Sequence, residues 1–161
     1  MRLRRALKVD AAAVAAIYTE SVLARDSTMD TEPFTRRDVE VLLERLGKRE
    51  ALFVLVHEDA VQGWGIVKSY SDRPGYRTAC ETSVYLRRNR LRRGFGRVLQ
   101  DELHRFAEEA GYHHIVTKIW ADNAGSIAFH EACGFSLVGI QREIGLVDEI
   151  RRDVAIMQRL L

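Results

Sequence analysis

Residues 83 to 99 read SVYLRRNRLRRGFGRVL, a β-rich run that passes through a basic turn into Gly94-x-Gly96 and on into an amphipathic segment. A strand that enters a helix through two glycines constrains the fold more than any other feature of the chain. The glycines let backbone approach a ligand closely, and the free N–H groups of a helix start point outward with partial positive charge. Such a turn binds phosphate, and it also serves as a plain tight connection; these residues alone leave both readings open. Arg87, Arg88, Arg90, Arg92, Arg93 and Arg97 lie between Val84 and Arg97 with no acid among them, although the whole chain has a net charge of only +2. A local patch of that size suits a small phosphorylated ligand better than a nucleic-acid track, and it lacks interleaved aromatics apart from Phe95.

The rest of the sequence alternates strands and helices. Leu3 to Leu7 reads as a short strand, and Asp10 as the N-cap of a helix to about Leu23 that places Val14, Ile17, Tyr18, Ser21 and Val22 on one face. A polar loop from Ala24 to Phe34 follows. Thr35 then caps a second helix, with Asp38 completing a capping-box variant and Gly47 expected as its stop. Leu52 to His57 and Val61 to Tyr70 flank the turn Glu58-Asp59-Ala60 and read as an antiparallel hairpin, followed by a third β-rich run from Cys80 to Leu86. Phe95, Leu99, Leu103, Phe106, Ala107 and Ala110 mark a long helix stopped by Gly111. Ile115 to Trp120 is a strand, Ser126 to Cys133 a short helix closed by Gly134, and Phe135 to Glu143 and Val154 to Leu160 are two last strands. Phe53, Trp64, Phe106 and Trp120 are expected in the core, and His113 and His114 in a loop. This order predicts one domain over residues 1–161: an α/β fold with a mixed, mostly antiparallel sheet and helices on both faces.

Composition narrows the function classes. With 47% hydrophobic and 30% charged residues and two prolines, the chain is neither disordered nor low-complexity. No run approaches the roughly 20 apolar residues that span a bilayer. MRLRRALK followed by Ala11 to Tyr18 imitates a signal peptide, but Asp10 interrupts it and Thr19-Glu20 ends it. Cys80 and Cys133 are far apart with no repeated spacing, which points to the reducing cytoplasm. His130-x-x-Cys133 lacks a second half with ligand spacing, so no metal is expected.

Ala121-Asp122-Asn123-Ala124-Gly125-Ser126 and His130-Glu131-Ala132-Cys133-Gly134-Phe135 complete a larger pattern. With the Gly94-x-Gly96 turn they resemble the GNAT superfamily of N-acetyltransferases, whose acetyl-CoA site is a V-x-x-x-x-[RQ]-x-x-G-x-[GA] strand-turn-helix followed by an Asn and a short helix ending in Gly-Phe. Thr31-Glu32-Pro33 and the run from Gly75-Tyr76-Arg77 through Glu81 to Ser83-Val84-Tyr85 resemble the phosphinothricin and methionine sulfone acetyltransferase group. The likeness runs from the first strand to the last.

The resemblance implies a GNAT-like sheet and a site for acetyl-CoA as co-substrate, with no metal. Val84, Tyr85 and Leu86 would hold the acetyl arm; Arg92, Arg93, Gly94, Phe95, Gly96 and Arg97 the pyrophosphate; Asn123 and Ser126 the rest of the cofactor. Glu81 is the candidate base that takes the acceptor amine's proton, against the plainer reading of a solvated glutamate. His130 is the candidate acid for the leaving thiolate, against packing on the cofactor. Gly75, Tyr76 and Arg77 would line the acceptor site, with Arg77 forking onto an acid group, against a plain surface arginine. The chain departs from the pattern in three places: Leu91 replaces the usual Arg or Gln, Ala79 a common threonine, and Val147 to Arg152 a Lys-Phe-Gly-Arg-Trp run.

The reading is therefore an acetyl-CoA-dependent N-acetyltransferase acting by direct attack on the primary amine of a small acid-bearing substrate, an amino acid or a phosphinothricin- or methionine sulfone-like analogue. A cytoplasmic homodimer is implied. The alternatives are transfer to protein N-termini, lysines or polyamines, and a non-catalytic CoA- or RNA-binding module; an arginine in the pocket would repel a polyamine.

Overall fold

The computed structural model describes residues 1–161. In chain order the elements are β1 (Arg2–Arg5), α1 (Ala11–Ala24), α2 (Arg36–Arg45), β2 (Ala51–His57), β3 (Ala60–Ser69), β4 (Ala79–Leu86), α3 (Phe95–Glu109), β5 (His114–Trp120), α4 (Ala124–Ala132), β6 (Ser136–Val147) and β7 (Ile150–Leu160). They form one seven-stranded sheet in the order β1-β2-β3-β4-β5-β7-β6. Every neighbouring pair is antiparallel except β4 with β5.

The period of two along β2 decides the layering. Ala51, Phe53 and Leu55 join a core with Leu99, Leu103 and Phe106 of α3, whereas Leu52 and Val54 join one with Val14, Ile17 and Val22 of α1. Helices thus cover both faces, as the sequence predicts. The aliphatic stripe predicted on α1 is buried in full, Ser21 included. Glycine sets how closely α3 lies on the sheet: a Cβ at Gly63 would sit 3.2 Å from Leu99 Cδ1 and one at Gly65 3.0 Å from Leu103 Cδ1, both in α3. Phe53, Trp64, Phe106 and Trp120 are all buried. No helix is long and apolar enough to cross a membrane.

Several boundaries differ from expectation. Gly47 does not stop α2; the helix ends at Arg45 because Leu46 already turns to extended backbone, and the Gly47 N–H donates to Glu50 Oε2 at 2.8 Å. The last two strands run to Val147 and back from Ile150, joined by Asp148-Glu149, which take positive φ of 52° and 58°. The first hairpin turns the same way at Glu58-Asp59, with φ of 53° and 56°. Two consecutive left-handed residues match the twist of a tight hairpin, and without glycine they leave little trace in sequence. His114 opens β5 rather than a loop, and its Nε2 pairs with Gln158 Oε1 at 3.1 Å.

β1 is shorter than expected, and Asp10 is the reason the chain leaves it early. Its carboxylate does not cap α1. Instead it accepts from Arg4 Nη1 and Nη2 at 2.6 and 2.8 Å and from the Leu7 N–H at 2.8 Å, clamping a 3-10 turn at Lys8–Asp10. Thr35 and Asp38 do form the expected reciprocal cap on α2.

The Arg4 hydrogen bonds hold the Asp10 carboxyl below its usual range, against the upward push of burial, and the Leu7 N–H adds to them. A carboxyl lowered on folding adds stability that is full above its unfolded pKa of about 3.9 and fades as pH falls through the native value. Asp10→Asn should therefore cost about 1.5–3 kcal/mol near neutrality by denaturant unfolding. The gap to wild type should narrow below about pH 4; a gap that stays constant with pH would detach Asp10 from this ion pair.

Candidate active site

The parallel pair is short. β4 meets β5 only at Ala79, Cys80 and Glu81, whereas its pairing with β3 continues to Leu86 and β5 stays on β7 to Trp120. Beyond Glu81 the two strands part. Tyr70 N–H to Ala79 O and Arg87 N–H to Gln62 O bracket the β3 ladder, so alternate residues from 79 to 87 spend their backbone groups on β3. Val84 and Leu86 therefore turn their N–H and C=O groups into the split, with no ladder partner on that side.

Below the split lies a cleft of about 940 Å³. Its floor is one face of the sheet: Ala79, Glu81, Ser83 and Tyr85 from β4, His114, Val116, Lys118 and Trp120 from β5, and Val154, Ile156 and Gln158 from β7. Ser27, Thr28 and Met29, from the loop after α1, form part of its wall. That loop is tied down by Tyr18, whose hydroxyl meets Thr28 Oγ1 at 2.6 Å and donates to Asp30. The Tyr18, Trp64 and Tyr85 rings pack edge-on or tilted, 4.8 to 5.7 Å apart, beneath this corner. Burial pushes the Tyr85 phenol up, which keeps it protonated.

Glu81 sits where the strands part. Its Oε2 lies 3.2 Å from Lys118 Nζ, and both side chains keep access to solvent. Gly75 and Tyr76 also line the cleft, Tyr76 packing edge-on against Tyr70. Arg77 is not among the lining residues; it follows the 3-10 turn Pro74–Tyr76 on the exposed surface.

The Gly94-x-Gly96 turn is built as the sequence predicts. Gly94 has φ of +81° at the N-cap of α3, and no side chain caps the helix. A Cβ at Gly96 would meet Phe129 Cζ of α4 at 3.2 Å and Leu86 Cδ1 at 3.6 Å, so this helix start, the end of β4 and α4 converge. Phe95 turns its ring into the core beside His57, leaving only its backbone to the turn.

The arginine cluster proves largely neutralised. Arg87 pairs with Glu20 at 2.9 Å, Arg88 with Asp26, Arg90 with Glu58 at 2.6 Å and Arg97 with Asp101 at 2.8 Å. Glu20, Asp26 and Glu58, distant in sequence, and Asp101, one helical turn on, supply what the run lacks. Arg92 and Arg93 alone of the six have no carboxylate partner, and both are exposed. Leu91 is exposed beside them.

Asn123 and Ser126 shape α4. Asn123 Oδ1 accepts from the Ser126 N–H at 3.1 Å, and its Nδ2 donates to the Asp26 carbonyl at 3.1 Å, fixing the loop after α1 to the helix start. His130 is buried between the Phe129 and Phe135 rings, and its Nδ1 lies 2.8 Å from the Ser126 carbonyl. That carbonyl only accepts, so Nδ1 carries the proton. Burial lowers the imidazole's pKa and keeps it neutral.

Sequence reasoning missed Lys118, Ser83, His114, Gln158 and the loop residues Ser27 to Met29 as parts of this cleft. One signal was present: in HIVTKIW a lone charge interrupts an otherwise apolar strand.

The profile described as "Acetyltransferase (GNAT) domain" matches residues 3–153. The L-methionine sulfoximine/L-methionine sulfone acetyltransferase of Salmonella typhimurium is 31% identical, covering 98% of this chain and 93% of its own. The solved structure of a phosphinothricin acetyltransferase from Sinorhizobium meliloti, in complex with AcCoA, superposes with a TM-score of 0.93 at 29% identity, over 99% of this chain and 88% of that one. A ribosomal-protein-alanine N-acetyltransferase from Brucella melitensis superposes with a TM-score of 0.96 at 28% identity over the full length of both chains. With a seven-stranded sheet split after Glu81 and a profile match across nearly its whole length, the chain belongs to the GNAT acetyltransferase family.

Proposed function

We propose that this acetyltransferase moves an acetyl group from acetyl-CoA to the primary amine of a small acid-bearing molecule, such as an amino acid or a phosphinothricin- or methionine sulfone-like analogue, by direct attack. The observation that carries the reading is the position of Glu81, a carboxylate on the cleft floor at the point where β4 and β5 part.

The residues suit the cofactor. The thioester arm enters the split and accepts hydrogen bonds from the Val84 and Leu86 N–H groups, and the pyrophosphate rests on the uncapped start of α3. Backbone N–H groups of residues 92 to 97 carry most of that contact, with Arg92 and Arg93 supplying the free charge. The acceptor amine gives a proton to Glu81, directly or through water, and its lone pair attacks the thioester carbon. The N–H groups in the split stabilise the oxyanion of the tetrahedral stage. The C–S bond then breaks, CoA leaves as thiolate, which with a pKa of about 8.5 departs without strong assistance, and the surplus proton on the new amide nitrogen passes to that thiolate through solvent. Of the two roles considered for His130, packing fits better, because its one proton is committed to the Ser126 carbonyl. Asn123 and Ser126 act by holding α4 beside the cofactor.

Neither cysteine enters this scheme. Both are buried, and burial pushes the Cys80 thiol up to about 12. We place the enzyme in a reducing cytoplasm, where both stay thiols. A homodimer is supported by the apolar outer strands, where Leu137, Val138, Ile140, Ile144, Leu146 and Ile150 are exposed. Transfer to a protein N-terminus is the second reading, favoured by the Brucella likeness; release of CoA thiol across amino acids, their sulfur and phosphorus analogues, polyamines and peptides separates the two.

Glu81→Gln should slow turnover by about 10² to 10⁴ at neutral pH while acetyl-CoA affinity stays near wild type; unchanged turnover would remove Glu81 from the chemistry. Calorimetric titration with acetyl-CoA tests the turn. Leu91→Arg should bind as well as wild type or tighter. Gly94→Val should bind severely more weakly, because a β-branched residue resists a φ of +81° although nothing lies within 4 Å of its Cβ. A folded Gly94→Val protein with normal affinity would place the cofactor elsewhere.

A further inference from the structure

An acid-bearing amine brings two opposite charges into the site, and the cleft must answer both. Among its 23 lining residues Glu81 is the one carboxylate, and Lys118 is the one lysine or arginine. They stand 3.2 Å apart, on neighbouring strands, at the mouth of the split. Arg77, which the sequence offers for the acid group, lies outside the cleft.

Lys118 is half-exposed, and it is the one Lys, Arg, Asp or Glu of β5. It interrupts an apolar strand whose neighbours Thr117 and Ile119 are buried, and its stem rises from the floor beside Val116 and Trp120. The positions on either side of Lys118 on this face, Val116 and Trp120, are apolar and buried. The last β4–β5 pair is Glu81 with Val116, so Lys118 is the next residue on that face beyond the pairing. Its ammonium therefore borders the space that opens between the strands, on the opposite wall from the Val84 and Leu86 N–H groups.

We propose that Lys118 is the acid-binding subsite of the acceptor pocket and takes a carboxylate or phosphinate. Without acceptor, Glu81 and Lys118 satisfy one another. An α-amino acid inserts between them: its ammonium faces Glu81, its carboxylate faces Lys118, and each charge exchanges one partner for another. The amine is thereby held on the base and beside the thioester. An amine without an acid group has to compete with Lys118 for Glu81 and leaves the lysine unpaired, so the pair also selects against polyamines. This inference rests on the acetyltransferase reading above, and it assigns the substrate class to one residue.

The test is steady-state acetylation of L-methionine sulfone and of its carboxamide, which keeps the amine and loses the acid, by wild type, Lys118→Met and Lys118→Arg. Wild type should prefer the acid. In Lys118→Met the KM for the acid should rise about tenfold or more, the size of one lost charge-assisted hydrogen bond, with little change in its kcat. The KM for the carboxamide should hold or fall, and Lys118→Arg should restore the preference. The ratio between the two acceptors cancels any effect passed through Glu81 or through folding. Equal losses for both acceptors would overturn the proposal, as would a collapse of the ratio in Arg77→Ala in place of Lys118→Met. If wild type acetylates neither acceptor, the acetyltransferase reading fails for this substrate class, and calorimetric titration of the same two compounds into the CoA-saturated protein decides the subsite. Binding that requires both the acid group and Lys118 upholds it; binding that ignores either overturns it.

Discussion

The organising constraint of this molecule is a ladder that stops. β4 and β5 share three residue pairs and then follow different partners, β4 remaining with β3 to Leu86 and β5 with β7 to Trp120. Each strand is satisfied on its outer side, so the sheet stays intact while the inner edges open. Backbone groups facing such a gap need hydrogen-bond partners, and a ligand that enters supplies them. The close seat of α3, permitted by Gly63 and Gly65, brings the start of that helix to the same end of β4. One interruption in pairing thus sets backbone N–H donors, a helix terminus and a carboxylate along β4.

Electrostatics then divides the labour. The sequence places six arginines around the turn, and the fold returns Glu20, Asp26, Glu58 and Asp101 to four of them. Three of those pairs anchor the turn to α1, to the loop after α1 and to the first hairpin, while the Arg97–Asp101 pair lies within α3. Partly exposed pairs of this kind contribute little to stability, but they fix a loop that must present its backbone. Arg92 and Arg93 remain free, enough for a diphosphate and poor for a polyanionic strand. Inside the cleft the balance is one acid to one base, and the neutral His130 behind it adds no charge.

Local signals were readable where they have a local cause. The Thr35-Asp38 cap, the stripe on α1 and the Gly94 turn each depend on residues within one or two turns of chain, and each appears as expected. Asp10 departs from its expected capping role because its partner Arg4, upstream, recruits the carboxylate away from α1. The Asp148-Glu149 turn was missed because neither residue advertises positive φ. The cleft was half legible. Glu81, Gly75 and Tyr76 came from motifs, whereas Lys118 joins them through the parallel pairing of strands separated by the whole of α3, and no spacing rule reports that contact. Arg77 shows the converse: a motif position, exposed just after the turn Pro74–Tyr76, that is not among the residues lining the cleft although Gly75 and Tyr76 are.

In the proposed function, the opening between β4 and β5 receives the acyl arm of acetyl-CoA. Backbone amide chemical shifts followed through a titration of the protein with acetyl-CoA test it most directly. The amides of Val84 and Leu86 and those of Gly94 to Arg97 should move together and saturate at one concentration, while the hairpin at Asp148-Glu149 stays still. Shifts confined to other surfaces, with Val84 and Leu86 unmoved at saturation, would contradict it.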